Sequence, residues 1–275
     1  MALGRRSNRR LPDREERAAR AKAALGALGR ALWRLSLLAA GLAALATGGR
    51  AAFRWATSSP TFAVNEIAVD GASRLSAPLV RQLSGLSPGE NVFRADLSGA
   101  SQALLGNPWI RSARVVRELP RRLRISIDER RPVAEVELGG LYLVDEEGEI
   151  FKRAVPADGA DLPVITGIGR QSFAEQRSQA REELDRALEL LGLLGHRELP
   201  QLSEIHVDEL LGLTVYLGPG PIAAKLGWDG LPEKLDRLER ARRELSRRRL
   251  APATIDLSND EHPERVDVAL AGPGN

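Results

Sequence analysis

The sequence predicts an α+β protein built in series: one membrane-crossing helix, a β-α-α-β-β unit, then a larger domain of strands with helices. Three observations carry that prediction. An uncharged Leu/Ala-rich run, Leu35–Gly49, follows an Arg-rich N-terminus. Strand and helix periodicities alternate over residues 62–127 in an order typical of one small unit. Beyond residue 133, short strand patterns are interleaved with two amphipathic helical patterns. The 275 residues suit two modest domains or one large one, at roughly 100–200 residues each.

Composition removes several classes of function. Forty Lys and Arg against 37 Asp and Glu leave a net charge of +3, too balanced for a dedicated nucleic-acid binder. Cysteine is absent, which excludes disulfides, thiolate metal sites and Cys nucleophiles. Hydrophobic residues make up 43% but aromatics only 4%, so Ala and Leu must fill much of the core.

The positive charge is concentrated at the start. Residues 1–34 carry +7, leaving −4 for the remainder, and such a break marks a boundary. Nineteen residues lie between Arg30 and Arg50, interrupted only by Arg34, close to the ~20 that a membrane span needs. Arg34 can snorkel to the headgroups, and Trp33, Phe53 and Trp55 flank the run as interfacial aromatics do. Two other readings compete. A buried helix of a soluble protein fits the mild hydrophobicity, and Ala44-Leu45-Ala46 has the form of a signal-peptidase site, although the n-region would be unusually long. The basic and aromatic flanks favour the uncleaved anchor. Its Arg excess puts the N-terminus in the cytoplasm and residues 56–275 outside. The expected organisation is a basic cytoplasmic tail (1–30), a transmembrane helix (31–49), a linker (50–60) and two extracytoplasmic domains (61–130 and 131–275).

In the first domain, Phe62, Val64, Ile67 and Val69 read as a strand with an irregularity near Asn65, ended by the turn Asp70-Gly71. Ser76 caps a helix whose apolar face is Leu79, Val80, Leu83 and Leu86. A second helix from about Ser98 turns Ala100, Ala103 and Leu104 inward and stops at Gly106-Asn107-Pro108. Residues 110–117 form a strand, Leu119-Pro120 turns the chain, and Leu123, Ile125 and Ile127 alternate with polar residues as a half-buried strand.

In the second domain, strands are expected at Val133–Leu138, Leu141–Val144 and Ile150–Phe151, the last two joined by the turn at 145–149. A helix at 181–194 presents Leu184, Ala187, Leu188, Leu191 and Leu194 at helical spacing. Strands follow at 203–208 and 213–217. A helix over about 231–249 carries Leu231, Leu235, Leu238 and Leu245 on one stripe. Ala253–Leu257 and Arg265–Leu270 close the chain as strands.

The search for chemistry returns no catalytic, cofactor or metal residues. Gly85-Leu86-Ser87-Pro88-Gly89 matches G-x-S-x-G, but Pro88 has no N–H to offer an oxyanion and the segment follows a helix. His196, His206 and His262 lack metal-ligand spacing, and neither phosphate-binding glycine motif is present. Arg111, Arg114, Arg117, Arg121, Arg122, Arg124, Arg130 and Arg131 crowd residues 111–131. They make either an anion- or partner-facing patch or, more simply, the solvated face of two strands, which is the reading preferred here.

Several of these segments together resemble one family. Asn107-Pro108-Trp109-Ile110-Arg111-Ser112-Ala113-Arg114-Val115, Leu119-Pro120-Arg121-Arg122-Leu123-Arg124-Ile125 and Glu129-Arg130-Arg131-Pro132-Val133-Ala134 are similar to the run PW(V/I)-x-x-A-x-V … P-x-x-L-x-I … E-R-x-P-V-A of FtsQ/DivIB cell-division proteins. Phe62-x-Val64-x-x-Ile67-x-Val69-x-Gly71 resembles the opening strand of that family's POTRA domain. Leu143-Val144-Asp145-x-x-Gly148-x-Ile150-Phe151, Leu162–Gly167, Leu226-Gly227 and Ile255-Asp256-Leu257 fit its later half, so the likeness spans nearly the whole chain.

The resemblance implies a POTRA domain followed by a mixed β-sheet domain, with Pro108, Trp109, Pro120, Glu129, Arg130 and Pro132 as the structural motif that turns the chain and joins the two. It implies a non-enzymatic divisome scaffold in the inner membrane, at the septum, without cofactor, nucleic acid or small-molecule substrate. Its partners would be bitopic FtsB/FtsL-like proteins, and it would help control septal peptidoglycan synthesis. The contact would be β-strand addition at the last strand, here Arg265, Val266, Asp267, Val268, Ala269 and Leu270. The preceding segment, Ser258–Glu264, is longer and more acidic than the family's usual hairpin and lacks its aromatic residue. The alternative is a POTRA-containing envelope or outer-membrane assembly factor. Only about 140 residues follow the first domain, with two amphipathic helices among them, too few strands for a large barrel.

Overall fold

The apolar run lies within one 45-residue helix, α1 (Arg14–Ser58), in a computed structural model that describes residues 14–159, 161–218, 222–262 and 264–271. The expected tail from Arg14 and the expected linker as far as Ser58 are therefore helical too. Residues 17–58 are long and apolar enough to cross a membrane, and none of the apolar window is buried against the protein. A core helix of a soluble domain would bury one stripe, and among the described residues of this window none is buried.

By internal contacts the chain, α1 included, groups into two compact units. One takes the chain up to Ala68 with Leu86–Leu97 and Val116–Arg124; the other takes Val69–Gly85, Ser98–Val115 and everything from Ile125 onward. Strands β1 (Glu66–Asp70), β2 (Ile110–Glu118) and β3 (Arg122–Glu129) form a three-stranded sheet in the order β1-β3-β2. Helices α2 (Ala77–Ser84) and α3 (Leu97–Leu105) intervene, which gives the β-α-α-β-β order. On β3, Leu123, Ile125 and Ile127 are all buried, as their alternation requires. Ser76 caps α2 by accepting from Leu79 N, and Gly85 ends it in the left-handed conformation at φ 68°.

Three expectations fail here, one of them on α2, where Leu79 is exposed and the buried residues are Val80 and Ser84. The strand expected from Phe62 begins only at Glu66, because Pro60 starts a 3-10 turn (Pro60–Phe62) capped by Ser59. Ala103, expected inward on α3, is exposed: the buried stripe is Ala100 and Leu104, and Ser101 Oγ anchors the adjoining position by donating to Ala113 O at 2.7 Å.

The second domain is built on a nine-stranded mixed sheet. Its strands are β4 (Pro132–Glu137), β5 (Leu141–Asp145), β6 (Ile150–Arg153), β7 (Val164–Thr166), β8 (Leu202–Asp208), β9 (Gly212–Leu217), β10 (Ile222–Gly227), β11 (Pro252–Asp256) and β12 (Asp267–Leu270). The spatial order is β12-β11-β10-β9-β8-β7-β4-β5-β6. Parallel pairs occur at β4–β7, β7–β8 and β10–β11; the other neighbours are antiparallel. Helix α4 (Arg170–Glu175) leads into α5 (Arg177–Leu194), and α6 (Leu231–Arg247) forms the crossover from β10 to β11.

One core cluster joins α5 (Ala180, Leu184, Ala187, Leu190, Leu194) and α6 (Leu231, Leu235, Leu238) to the sheet. Sequence periodicity found the α6 stripe but missed Ala180 and Leu190 on α5. Strands β7 and β10 were also missed. The first has three residues, too few to show a period, and Ile222-Ala-Ala-Lys-Leu-Gly227 lacks β-branched residues after its first position.

A candidate partner-binding edge

The nine strands carry one continuous row of cross-strand neighbours. It runs Arg153–Tyr142–Val136–Ile165–Ile205–Val215–Ala224–Ile255–Val268. From Val136 to Ile255 every member is fully buried. The two ends differ. At β6 the row ends in the exposed, charged Arg153, next to Lys152, the usual way of blunting a sheet edge. At β12 it ends in Val268, which is 37% exposed, with Leu270 on the same face at 50%.

The backbone of β12 is also oriented outward at these positions. Ala271 N donates inward to Ala251 O at 2.9 Å, while on the next strand Leu257 N donates the other way, to Lys225 O of β10, at 2.9 Å. Alternation from either bond gives one result: Asp267 and Ala269 face β11, and the N–H and C=O of Val268 and Leu270 face away from it. The edge therefore offers unpaired backbone groups at two residues whose side chains extend the core layer.

The sequence placed the edge strand at Arg265–Leu270, whereas the ladder covers Asp267–Leu270. Arg265 lies outside it and pairs with Asp267 at 3.2 Å, and Val266 packs against the core cluster just before the strand. In the acidic segment leading to β12, residues 256–262 are held by short-range bonds. Asp256 Oδ1 accepts from Ser258 N and Oγ, and Asn259 Oδ1 accepts from Glu261 N and His262 N. Beneath it, Lys234 of α6 is buried: its Nζ donates to Leu226 O at 2.8 Å and meets Asp260 Oδ1 at 2.6 Å. That tie between helix, strand and turn was invisible in sequence, because Lys234 sits among nine other charged residues of α6 with nothing to mark it as buried.

Of the motif expected to join the domains, Pro108, Trp109, Glu129, Arg130 and Pro132 belong to the larger unit and Pro120 to the smaller. The Glu129 carboxylate accepts from Ser73 N and Oγ, Arg74 N and Leu75 N, at 2.6–3.1 Å. Burial works to raise this carboxyl, but the four hydrogen bonds together outweigh it and hold it below the usual range. Trp109 lies under the Arg74 guanidinium, 3.7 Å from the ring centroid, and edge-on to Phe151 at 5.4 Å. Lys152, near the same ring, bonds Asp158 and lowers that carboxyl further. Arg130 reaches the buried Asp145, whose other oxygen accepts from Glu147 N and Glu149 N, and Pro132 opens β4. Pro108 is exposed at the start of β2, and Pro120 belongs to the turn before β3. Sequence reading missed Ser73, Arg74, Phe151, Lys152 and Asp158, which are distant in the chain.

The Arg-rich face of β2 and β3 is largely engaged internally. Arg111 pairs with Asp128 and Glu147, Arg122 with Glu66 and Arg124 with Glu118, while Arg117 donates to Val92 O and Ala95 O. Among the described residues no group of three or more His, Asp or Glu could hold a metal ion. His206 Nδ1 is bonded to Thr166 Oγ1 at 2.8 Å, within the sheet. Gly85 and Gly89, the glycines of the G-x-S-x-G match, serve as a helix cap and as a donor to Val64 O.

Comparison with known proteins agrees with this architecture. Residues 62–130 match the POTRA domain, FtsQ-type, and residues 133–258 match the C-terminal domain of cell division protein FtsQ/DivIB. The cell division protein FtsQ of Anaeromyxobacter sp. (strain K) is 42% identical over 236 residues, covering 84% of this chain and 80% of its own. That of Myxococcus fulvus is 34% identical over 279 residues, covering 100% and 97%. That of Syntrophotalea carbinolica is 36% identical over 216 residues, covering 78% and 76%.

Proposed function

Because the chain belongs to the FtsQ/DivIB family of cell-division proteins, we propose that it acts in the divisome as a non-enzymatic scaffold, binding its partners by strand addition at β12. The observation that carries this is the asymmetry of the sheet: one edge ends in Arg153, the other in exposed Val268 and Leu270 with outward backbone groups. An extended partner segment would add backbone hydrogen bonds at those two residues, and its alternate apolar side chains would continue the core row.

The partners proposed are bitopic FtsB/FtsL-like division proteins, and the complex would help control septal peptidoglycan synthesis. Helix α1 would hold the chain in the cytoplasmic membrane as a single pass, N-terminus inside, with both folded domains outside and concentrated at the septum. The Arg-rich start and the uncharged run after it support that orientation. The domain limits proposed are 61–130 and 131–275, with Glu129, Arg130 and Pro132 at the join.

Depletion of the protein in its own host, with a fluorescent fusion to follow its position, tests this reading. Smooth, unseptated filaments and a mid-cell band are expected. Normal division accompanied by loss of outer-membrane proteins would overturn it in favour of an envelope assembly factor.

A further inference from the structure

A basic cleft opens where α1 leaves the apolar run, built entirely from residues of the smaller unit. Phe53, Arg54, Thr57 and Ser58 of α1 form one side of this shallow, open cleft and Phe93 and Arg94 the other, around about 530 Å³. The two walls are fastened to each other. Asn91 Nδ2 donates to Ala56 O at 2.9 Å and to Ser59 O at 3.4 Å, while its own backbone and side-chain oxygens accept from Arg94 N and Phe93 N. Beside them Trp55, Phe62 and Phe93 stack edge to face, with centroids 5.8 and 5.0 Å apart. The position of Arg94 relative to Arg54 is thus set by hydrogen bonds and ring packing.

The cleft's donors are its two guanidiniums. Thr57 and Ser58 commit their hydroxyl protons to helix carbonyls, at Phe53 O and Arg54 O. Among the described residues neither Arg54 nor Arg94 has a carboxylate within ion-pair distance. Depth supplies the second argument. Arg54 lies five helical steps beyond Gly49, the end of the uncharged run, a rise of about 7.5 Å. The polar zone of a bilayer leaflet is about 5–7 Å thick beyond the hydrocarbon, so Arg54 stands at headgroup height. Exposed Phe53 and Trp55, on the same turn, are the residue types that settle at that level.

We propose that this cleft binds the phosphate-bearing headgroup of an anionic phospholipid in the outer leaflet of the membrane that α1 crosses. Arg54 and Arg94 hold the phosphate between them, and Phe53 and Phe93 cover the upper acyl chain. The site rests on the reading of α1 as a membrane span, and it would fix the height and tilt of the first domain on the membrane surface.

The test uses the full chain, offered to nanodiscs of phosphatidylcholine alone or mixed with phosphatidylglycerol, with co-purifying lipid measured by native mass spectrometry. Retention of phosphatidylglycerol over phosphatidylcholine is expected, falling on the order of fivefold for each guanidinium removed in R54A, R94A and the double variant. An R54K/R94K variant keeps the charge and should keep part of the preference. Equal retention of the two lipids, or an unchanged preference in R54A/R94A, overturns the site while leaving the span standing. Failure to enter either disc overturns both. Inorganic phosphate quenching or shifting Trp55 fluorescence in phosphatidylcholine discs, in an Arg54- and Arg94-dependent way and with no lipid preference, would assign the cleft to free phosphate and overturn the lipid. Near-ultraviolet circular dichroism of each variant separates loss of the site from loss of the fold.

Discussion

Ile255 and Val268 are cross-strand neighbours on the core face of the sheet, yet Ile255 is fully buried and Val268 is 37% exposed. One strand marks the difference between a finished core and an unfinished one. Val268→Pro removes an outward-facing N–H and should abolish capture of a partner strand, with little change in melting temperature. Ala269→Pro removes an inward N–H bonded to β11 and should lower the melting temperature itself. Binding to an FtsB-like peptide and thermal melts of both variants check this. Equal binding loss at unchanged stability in the two would contradict the assigned backbone directions.

The turn before that strand depends on Lys234. Asp260→Ala leaves a buried ammonium with only Leu226 O as partner and should cost about 2 kcal/mol. Lys234→Ala also empties the space of the buried stem and should cost about 3 kcal/mol or more. Lys234→Met fills that space but leaves the Leu226 carbonyl unpaired, costing about 1–3 kcal/mol. Urea melts give the three values. Hydrogen exchange at 258–270 should quicken in all three variants, and unchanged exchange there would show that the tie does not position the edge.

Glu129 should make the loop at residues 73–75 sensitive to acid. Its carboxyl titrates below the open-chain value of about 4.3. Its contribution is therefore complete above that value and lost as pH falls through the lower folded pKa; neutral pH lies outside the window. Glu129→Gln should destabilise by about 2 kcal/mol at pH 7, because one amide oxygen replaces two charged acceptors. The gap between variant and parent should close as pH falls below about 4. A gap that stays constant from pH 7 to pH 3 would remove Glu129 from the acid response.

Gly71 has φ 84°, and a Cβ there would lie 1.9 Å from Ile127 O. Gly71→Ala must move the backbone of β3, and should cost more than 3 kcal/mol. Gly85 has a similar φ of 68° but open space around it, so Gly85→Ala should cost only about 1 kcal/mol. Paired denaturation curves distinguish steric contact from backbone conformation as the cause.

Much of this protein was legible in its sequence, for reasons that remain local. Leu123, Ile125 and Ile127 announce a half-buried strand because strand period depends on backbone geometry alone. Ser76 announces the start of α2 because an N-cap is completed within a few residues, whereas the end at Gly85 came from the structure, which leaves Leu86 outside the helix. The uncharged run marked a membrane-length helix, although α1 extends well past it at both ends. The family motifs were recognisable because each turn or helix stop they encode is built by adjacent residues.

Long-range pairing set the rest. Whether a residue such as Lys234 is solvated or buried depends on a carbonyl eight residues away and a carboxylate 26 residues away, which no periodicity records. The sheet joins β7 to β8 and β10 to β11 across intervening helices, and β4 to β7 across the β5–β6 hairpin, so strand order had to come from the folded core. The sequence by itself determined most of the elements, the periodic faces of the longer ones and the family. Only the tertiary structure decided that the row of buried side chains stops at Val268, because an edge exists only once every other strand has found its neighbour.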